Sequence, residues 1–362
     1  MASPSRRRRS SISYPPKLSF EFVKKHIYIY SPAGAVRDKA AFRRGVARLK
    51  ALGHEVEIDE AALASHMRFA GDDETRLAAI HRAAASGADV ALIARGGYGL
   101  TRILGGIHYK KVAKAIDTGT LFVGISDFTA FQNAVLARTG GVTWAGPALC
   151  EGFGVGAKPE MADGHGHGEQ QVPDDIMEAC FDDLISGQGE GTGWRQNREP
   201  NSAAINSIAE DLVNTRVRLE FSIKKAVMWG GNLSVLTSLL GSPYFPDIKG
   251  GILFLEDVAE HPYRIERMLT QLLHAGVLGR QKAILLGQFT EYKLVPHDRG
   301  FKLQTVVNWL RQQIKVPVLT NLPYGHVATK VLLPVGAKTD LIVEGRDALL
   351  FWGHTSKTRD MP

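Results

Sequence analysis

Residues 121–131 read Leu121-Phe122-Val123-Gly124-Ile125-Ser126-Asp127-Phe128-Thr129-Ala130-Phe131. A short, continuously apolar run ends in one serine, and apolar residues then recur at helical spacing through Phe128, Phe131, Val135 and Leu136 until Gly140-Gly141. The pattern repeats on both sides. Upstream, His26-Ile27-Tyr28-Ile29-Tyr30 closes on the turn Ser31-Pro32-Ala33-Gly34, and Phe42, Val46, Leu49 and Leu52 mark a helix over 37–52. A helix around Leu77, Ile80 and Ala84 then leads into Val90-Ala91-Leu92-Ile93-Ala94 and the turn Arg95-Gly96-Gly97-Tyr98-Gly99. Downstream, 227–232, 251–255, 283–286 and 316–319 read as strands, with helices around 265–273 and 303–314 and hairpin material over 331–352. Short strands that are apolar along their whole length and alternate with helices predict an α/β fold, its parallel sheet covered on both faces.

The chain has 362 residues, room for roughly two domains of ~150 residues. Hydrophobic residues at 44% and charged residues at 22% exclude a wholly disordered or collagen-like chain. Two cysteines, Cys150 and Cys180, are too few for a disulfide framework and suit a reducing compartment. There is no apolar run of about 18 residues to span a bilayer. The start, with Arg6–Arg9 followed by Ser10 to Lys17, lacks the apolar stretch of a signal peptide. A cytoplasmic protein with no membrane partner is expected. Of the net charge of +7, four units belong to Arg6–Arg9. Without interleaved aromatics that run reads as a solvated tail, so no nucleic-acid partner is expected. Residues 1–24 read as a basic tail, 25–190 as a first domain with a loop insertion at about 153–172, 191–216 as a linker, and 217–362 as a second domain.

Ligands of open α/β sheets bind beyond the carboxyl ends of the strands, so the polar residue after each apolar run is the candidate for chemistry. Ser126 sits in the strand-to-helix setting of a nucleophile elbow, where the following N–H, from Asp127, points at a developing oxyanion. Phe128 stands where GxSxG has its second glycine, and a serine opening a helix is in isolation an N-cap. Glu256 follows 251–255 and suits the orienting carboxylate of a triad; in isolation it reads as a solvated cap, with Asp257 as its competitor. His326, between Gly325 and Val327, suits a general base near neutral pH. The glycines of 95–99 let backbone N–H groups approach a ligand closely, as a second oxyanion donor must; the turn lacks the Walker GxxxxGK[ST] pattern. His165-Gly166-His167 has no carboxylate or thiolate nearby to complete a zinc set, and no metal site is expected.

Together, SPAG at 31–34, ARGGYG at 94–99, GISDFTA at 124–130, WAGP at 144–147, WGGNL at 229–233, GILFLEDVAEHPYRIERML at 251–269 and PYGH at 323–326 resemble the LD-carboxypeptidase family of serine peptidases. The resemblance covers about residues 26–354, in order. It implies a flavodoxin-like, class I glutamine amidotransferase-like N-terminal domain and a C-terminal α/β domain, with the active site in the cleft between them. It places the catalytic serine, glutamate and histidine on Ser126, Glu256 and His326, and the oxyanion hole on the N–H groups of Asp127 and Gly97. Arg95 is the candidate for the substrate carboxylate, and Asn232 is expected to shape the substrate-binding cleft. The implied reaction is hydrolysis between the L-centre of diaminopimelate or lysine and the terminal D-alanine of a murein tetrapeptide, in peptidoglycan recycling, with no cofactor and by a homodimer. A related branch, the microcin-immunity hydrolases, shares the triad and cleaves peptidyl- or aminoacyl-nucleotides.

Overall fold

In the computed structural model the structure describes residues 23–156, 172–197 and 220–353. The basic run Arg6–Arg9, most of the glycine-rich insertion with His165 and His167, and most of the linker lie outside them. Two sheets organise the molecule. The first contains β1 (His26–Tyr30), β2 (Glu55–Ile58), β3 (Val90–Ile93), β4 (Leu121–Gly124) and β5 (Thr143–Ala145), with β11 (Leu333–Val335) at its edge, in the order β11-β5-β4-β3-β1-β2. All neighbours are parallel except β11, which runs antiparallel to β5. Its parallel part has the doubly wound order 2-1-3-4-5, so the winding reverses between β1 and β3. The loops after these two strands are the SPAG and RGGYG turns.

Burial explains the apolar runs. Val90, Ala91, Leu92 and Ile93 are each 0% exposed, because helices cover both faces of the sheet. Those helices are α1 (Lys39–Ala51), α2 (Asp73–Ala85), α3 (Leu100–Ile103), α4 (Tyr109–Asp117) and α5 (Phe128–Thr139), joined later in the chain by α6 (Asp175–Ser186). Asp38 caps α1, accepting hydrogen bonds from Ala40 and Ala41 N–H at 2.8 and 2.9 Å, and Asp72 caps α2 through Thr75 N–H. Helix α5 stops where Gly140 turns left-handed at φ 72°.

The second sheet has the order β10-β9-β8-β7-β12-β13-β6, with β6 (Gly191–Arg195), β7 (Glu220–Asn232), β8 (Ile252–Val258), β9 (Ala283–Thr290), β10 (Val318–Leu319), β12 (Lys338–Glu344) and β13 (Asp347–Phe351). Strands β7 to β10 are parallel; β12, β13 and β6 extend the sheet antiparallel. Helices α7 (Leu233–Ser238), α8 (Pro262–His274) and α9 (Leu303–Gln313) follow β7, β8 and the loop after β9.

Several elements differ from the sequence expectation. Gly191–Arg195, read as linker, is a strand paired with β13. Within the stretch read as hairpin, Leu333–Val335 instead completes the first sheet. Strands β2 and β5 and helices α4 and α6 were not read at all. Among the described residues no helix is long and apolar enough to cross a membrane.

Candidate active site

The first half of the site is built from backbone. Ser126 has φ 67°, the left-handed region that L-residues rarely occupy. It is therefore no N-cap: helix α5 begins at the next residues, with Asp127 in the cap position and no side-chain cap. This corrects the isolated reading, and the cause is geometric. A sharp turn between a buried strand and a buried helix projects the hydroxyl away from both. Glycine makes room around it. A Cβ on Gly96 would lie 2.6 Å from Ser126 Cβ and 2.9 Å from its Oγ, so the RGGYG turn rests directly on the serine. Gly97 takes φ 110° and is exposed. Among the described residues, neither its N–H nor that of Asp127 donates a hydrogen bond to the protein. Two undonated N–H groups flanking a half-buried hydroxyl are what an oxyanion requires.

Side chains hold these turns in place. The Asp127 carboxyl, buried, accepts from Leu100 N–H at 2.9 Å and so ties the nucleophile turn to the end of the RGGYG turn. Burial pushes its pKa up to about 6. Arg76, 0% exposed, donates to Gly99 O at 2.9 Å and to Pro32 O at 3.5 Å, bridging the loops after β3 and β1. Arg95 Nη1 donates to Ala35 O at 3.2 Å, and its Nε lies 3.7 Å from Glu151 Oε1. A Cβ on Gly34 would meet that Nη1 at 2.5 Å. The structure thus engages Arg95 as a brace between the SPAG and RGGYG turns.

The second half is built from buried polar groups. Glu256, at the end of β8, is 0% exposed, which removes its isolated reading as a solvated cap. Its Oε2 lies 2.8 Å from His326 Nδ1, so the imidazole presents Nε2 outward. Burial alone would push the His326 pKa down; the hydrogen bond and charge of Glu256 outweigh it and hold the imidazolium above its ordinary value. Gly325, at φ 144°, gives the tight turn that seats His326, and a Cβ there would lie 2.9 Å from Gln288 O.

Asn232, at the end of β7, is the other expected substrate group, and the structure places it behind Glu256. Its Nδ2 donates to Glu256 Oε1 at 3.2 Å and to Asp257 Oδ1 at 3.0 Å, while its Oδ1 caps α7 through Val235 N–H. It is 4% exposed, and its amide orients the Glu256 carboxylate. Asp257 accepts further bonds from Ser234 and Val258 N–H, and burial followed by the Glu256 charge pushes its pKa up to about 7.

The halves meet on α5. Asn232 N–H donates to Thr129 Oγ1 at 2.9 Å, and Asn133 Nδ2 donates to Gly230 O at 2.8 Å. Gly231, at φ 127°, permits this approach, since a Cβ would fall 2.5 Å from Thr129 Oγ1. Asp257 entered the sequence reading only as a competitor of Glu256; Thr129, Asn133 and the Asp127 carboxyl escaped it. Thr129 and Asp127 lie inside the GISDFTA motif, which was the available signal. Among the described residues no cluster of histidine, cysteine and carboxylate side chains is arranged to hold a metal ion.

Residues 27–146 match the LD-carboxypeptidase N-terminal domain and residues 225–341 the LD-carboxypeptidase C-terminal domain. A "Probable murein peptide carboxypeptidase" of Bacillus subtilis is 30% identical over 304 residues, covering 83% of this chain and 84% of that protein. The crystal structure of a muramoyltetrapeptide carboxypeptidase from Oxalobacter formigenes has a TM-score of 0.73 at 35% identity, covering 91% of this chain and 98% of that one. The microcin self-immunity protein MccF of Escherichia coli is 27% identical over 226 residues, covering 60% of this chain and 61% of that protein. With its two halves joined at α5, the chain belongs to the LD-carboxypeptidase family of serine carboxypeptidases.

Proposed function

We propose that the protein hydrolyses the bond between the L-centre of diaminopimelate (or lysine) and the terminal D-alanine of murein tetrapeptides, using Ser126, His326 and Glu256 as a triad. The observation that carries this reading is Ser126 itself, a non-glycine residue at φ 67° with no capping duty, on a turn flanked by two undonated N–H groups. Ser126 Oγ attacks the scissile carbonyl carbon while His326 Nε2 takes its proton. Glu256, accepting from Nδ1–H, stabilises the imidazolium. The Gly97 and Asp127 N–H groups stabilise the oxyanion, each donor being worth ~3–4 kcal/mol of transition-state energy. Collapse expels D-alanine, its nitrogen protonated by His326. Water, activated by the neutral histidine, then cleaves the acyl-enzyme and releases the tripeptide.

The related proteins named for murein peptides support the substrate class. The same reading takes residues 25–190 and 217–362 as two units and places the enzyme in cytoplasmic peptidoglycan recycling as a homodimer. Light scattering on the purified protein checks the last point. The function is tested by mass spectrometry of the protein incubated separately with a murein tetrapeptide and with an aminoacyl-nucleotide analogue. Release of D-alanine and tripeptide, with the nucleotide spared, is expected. Rapid nucleotide cleavage with an intact tetrapeptide would overturn the reading in favour of an immunity-type hydrolase.

A further inference from the structure

No helix or strand runs through residues 320–332, the segment that carries His326. Its backbone is bent as well: Asn321 takes φ 63° and Gly325 φ 144°. A segment of this kind cannot satisfy its own N–H and C=O groups, so its shape is set by whatever bonds them from outside. Those bonds come from β9. Where β8 pairs with β9, Leu255 faces Leu286 and Asp257 faces Phe289, which leaves Glu256 opposite two residues, Gly287 and Gln288. Two residues against one make a β-bulge, a feature rare between parallel strands and frequent beside active sites.

The bulge carries the loop. Gln288 N–H donates to Tyr324 O at 2.8 Å, and on its near side Leu322 N–H donates to Leu286 O at 3.1 Å. A Cβ on Gly287 would collide with Tyr324 O, so glycine admits the loop at that point. The Gln288 side chain then adds two bonds that the backbone cannot make: its Nε2 donates to Leu322 O at 3.1 Å and to Asn321 Oδ1 at 3.3 Å. Thr290 Oγ1, two residues on, donates to His326 O at 3.4 Å. We infer that Gln288 is a positioning residue, whose amide clamps the 321–326 loop and so sets His326 against Glu256. Because the bulge lies opposite Glu256, one irregularity in β9 places both members of that pair. The inference rests on the role of His326 as base proposed above.

The test compares wild type, Gln288→Met and Gln288→Asn. Methionine keeps the side-chain length and removes both donated bonds; asparagine keeps the amide but is one methylene short of its partners. Misplacing a reacting group by about 1 Å costs on the order of 10²-fold in rate. In both variants kcat on a murein tetrapeptide is expected to fall by about 10- to 100-fold, with KM within about threefold of wild type. A kcat within about twofold of wild type, or a loss confined to KM, would overturn the inference. A second readout needs no turnover: NMR titration of the His326 imidazole in protein with isotope-labelled histidine, its signal assigned by the loss seen in His326→Gln. Burial and the charge of Lys330 lower this pKa, while Glu256 and Glu151 raise it and prevail. A loosened loop gives up both the burial and the Glu256 bond, so the pKa should fall back toward the ordinary ~6.5 in both variants. A titration unshifted from wild type, even with slower turnover, would overturn the inference and leave Gln288 a merely structural residue. If wild type leaves the tetrapeptide intact, the proposed reaction fails while the titration still judges Gln288. Thermal melting reports that the fold is retained; should Gln288→Met unfold, the milder Gln288→Asn supplies both readouts.

Discussion

Ser126 ends a strand of the first sheet at a strained backbone angle, surrounded by glycines, whereas Glu256 ends a strand of the second sheet inside a network of side-chain hydrogen bonds. The Ser126 half of the site consists of shape: left-handed turns, missing Cβ atoms and free N–H groups. The His326 half consists of charge: two adjacent buried carboxylates, an asparagine donating to both, and an imidazole held above its ordinary pKa. Lesions in the first half should therefore act through sterics and those in the second through titration.

The largest expected effect is that of Ser126→Gly. It removes the nucleophile and should cost at least about 10⁴-fold in kcat. Because glycine accepts φ 67°, it should also leave the protein equally stable or up to about 1 kcal/mol more stable, read as a small rise in Tm. Inactivation with a gain in stability is the signature of stored strain; a marked fall in Tm would break this half of the comparison.

Glu256→Gln comes next, with a kcat loss of about 10²- to 10⁴-fold. The carboxylate raises the His326 pKa, and the base must be neutral to act, so wild-type kcat/KM should fall as the pH drops through a value above the usual ~6.5. Loss of the charge lowers that pKa, so the acidic limb of Glu256→Gln should move to lower pH. A limb that stays in place would show that the charge of Glu256 does not control the base.

Gly96→Ala tests the first half by volume alone. A methyl 2.6 Å from Ser126 Cβ must displace the turn, with an expected loss of about 10²-fold in kcat/KM and an unaltered pH profile. The smallest effect is expected for Asn232→Ala, which withdraws one amide from two carboxylates. About tenfold in kcat is expected, with a shifted acidic limb, because the residue positions Glu256.

The strand ends were legible because burial on both faces writes an unbroken apolar run, and the first polar residue after it is conspicuous. This singled out Ser126 and Glu256, and the turn that follows 316–319 drew attention to His326, before the resemblance tied them together. Strands β2 and β5 were not, since Glu55–Ile58 lies at a sheet edge with half its side chains polar and Thr143–Ala145 is too short to show a period. Nor could periodicity reveal that Leu333–Val335 returns to the first sheet, because its partner lies some 190 residues earlier in the chain. Asn232 and Arg95 were legible by type, but not the protein groups that hold them, Glu256 and Asp257 for the first and Ala35 O and Glu151 for the second. A polar residue at a strand end can face the ligand or its neighbours, and only the hydrogen-bond partners decide.

The most direct test of the account is intact-protein mass spectrometry of rapidly quenched reactions between a murein tetrapeptide and wild-type or Ser126→Ala protein, followed by mapping of the modified peptide. The account predicts a transient adduct of the substrate minus D-alanine, located on Ser126 in the wild type and absent from the variant, together with loss of turnover in the variant. An adduct on another residue, or D-alanine release by Ser126→Ala within about tenfold of wild type, would contradict it.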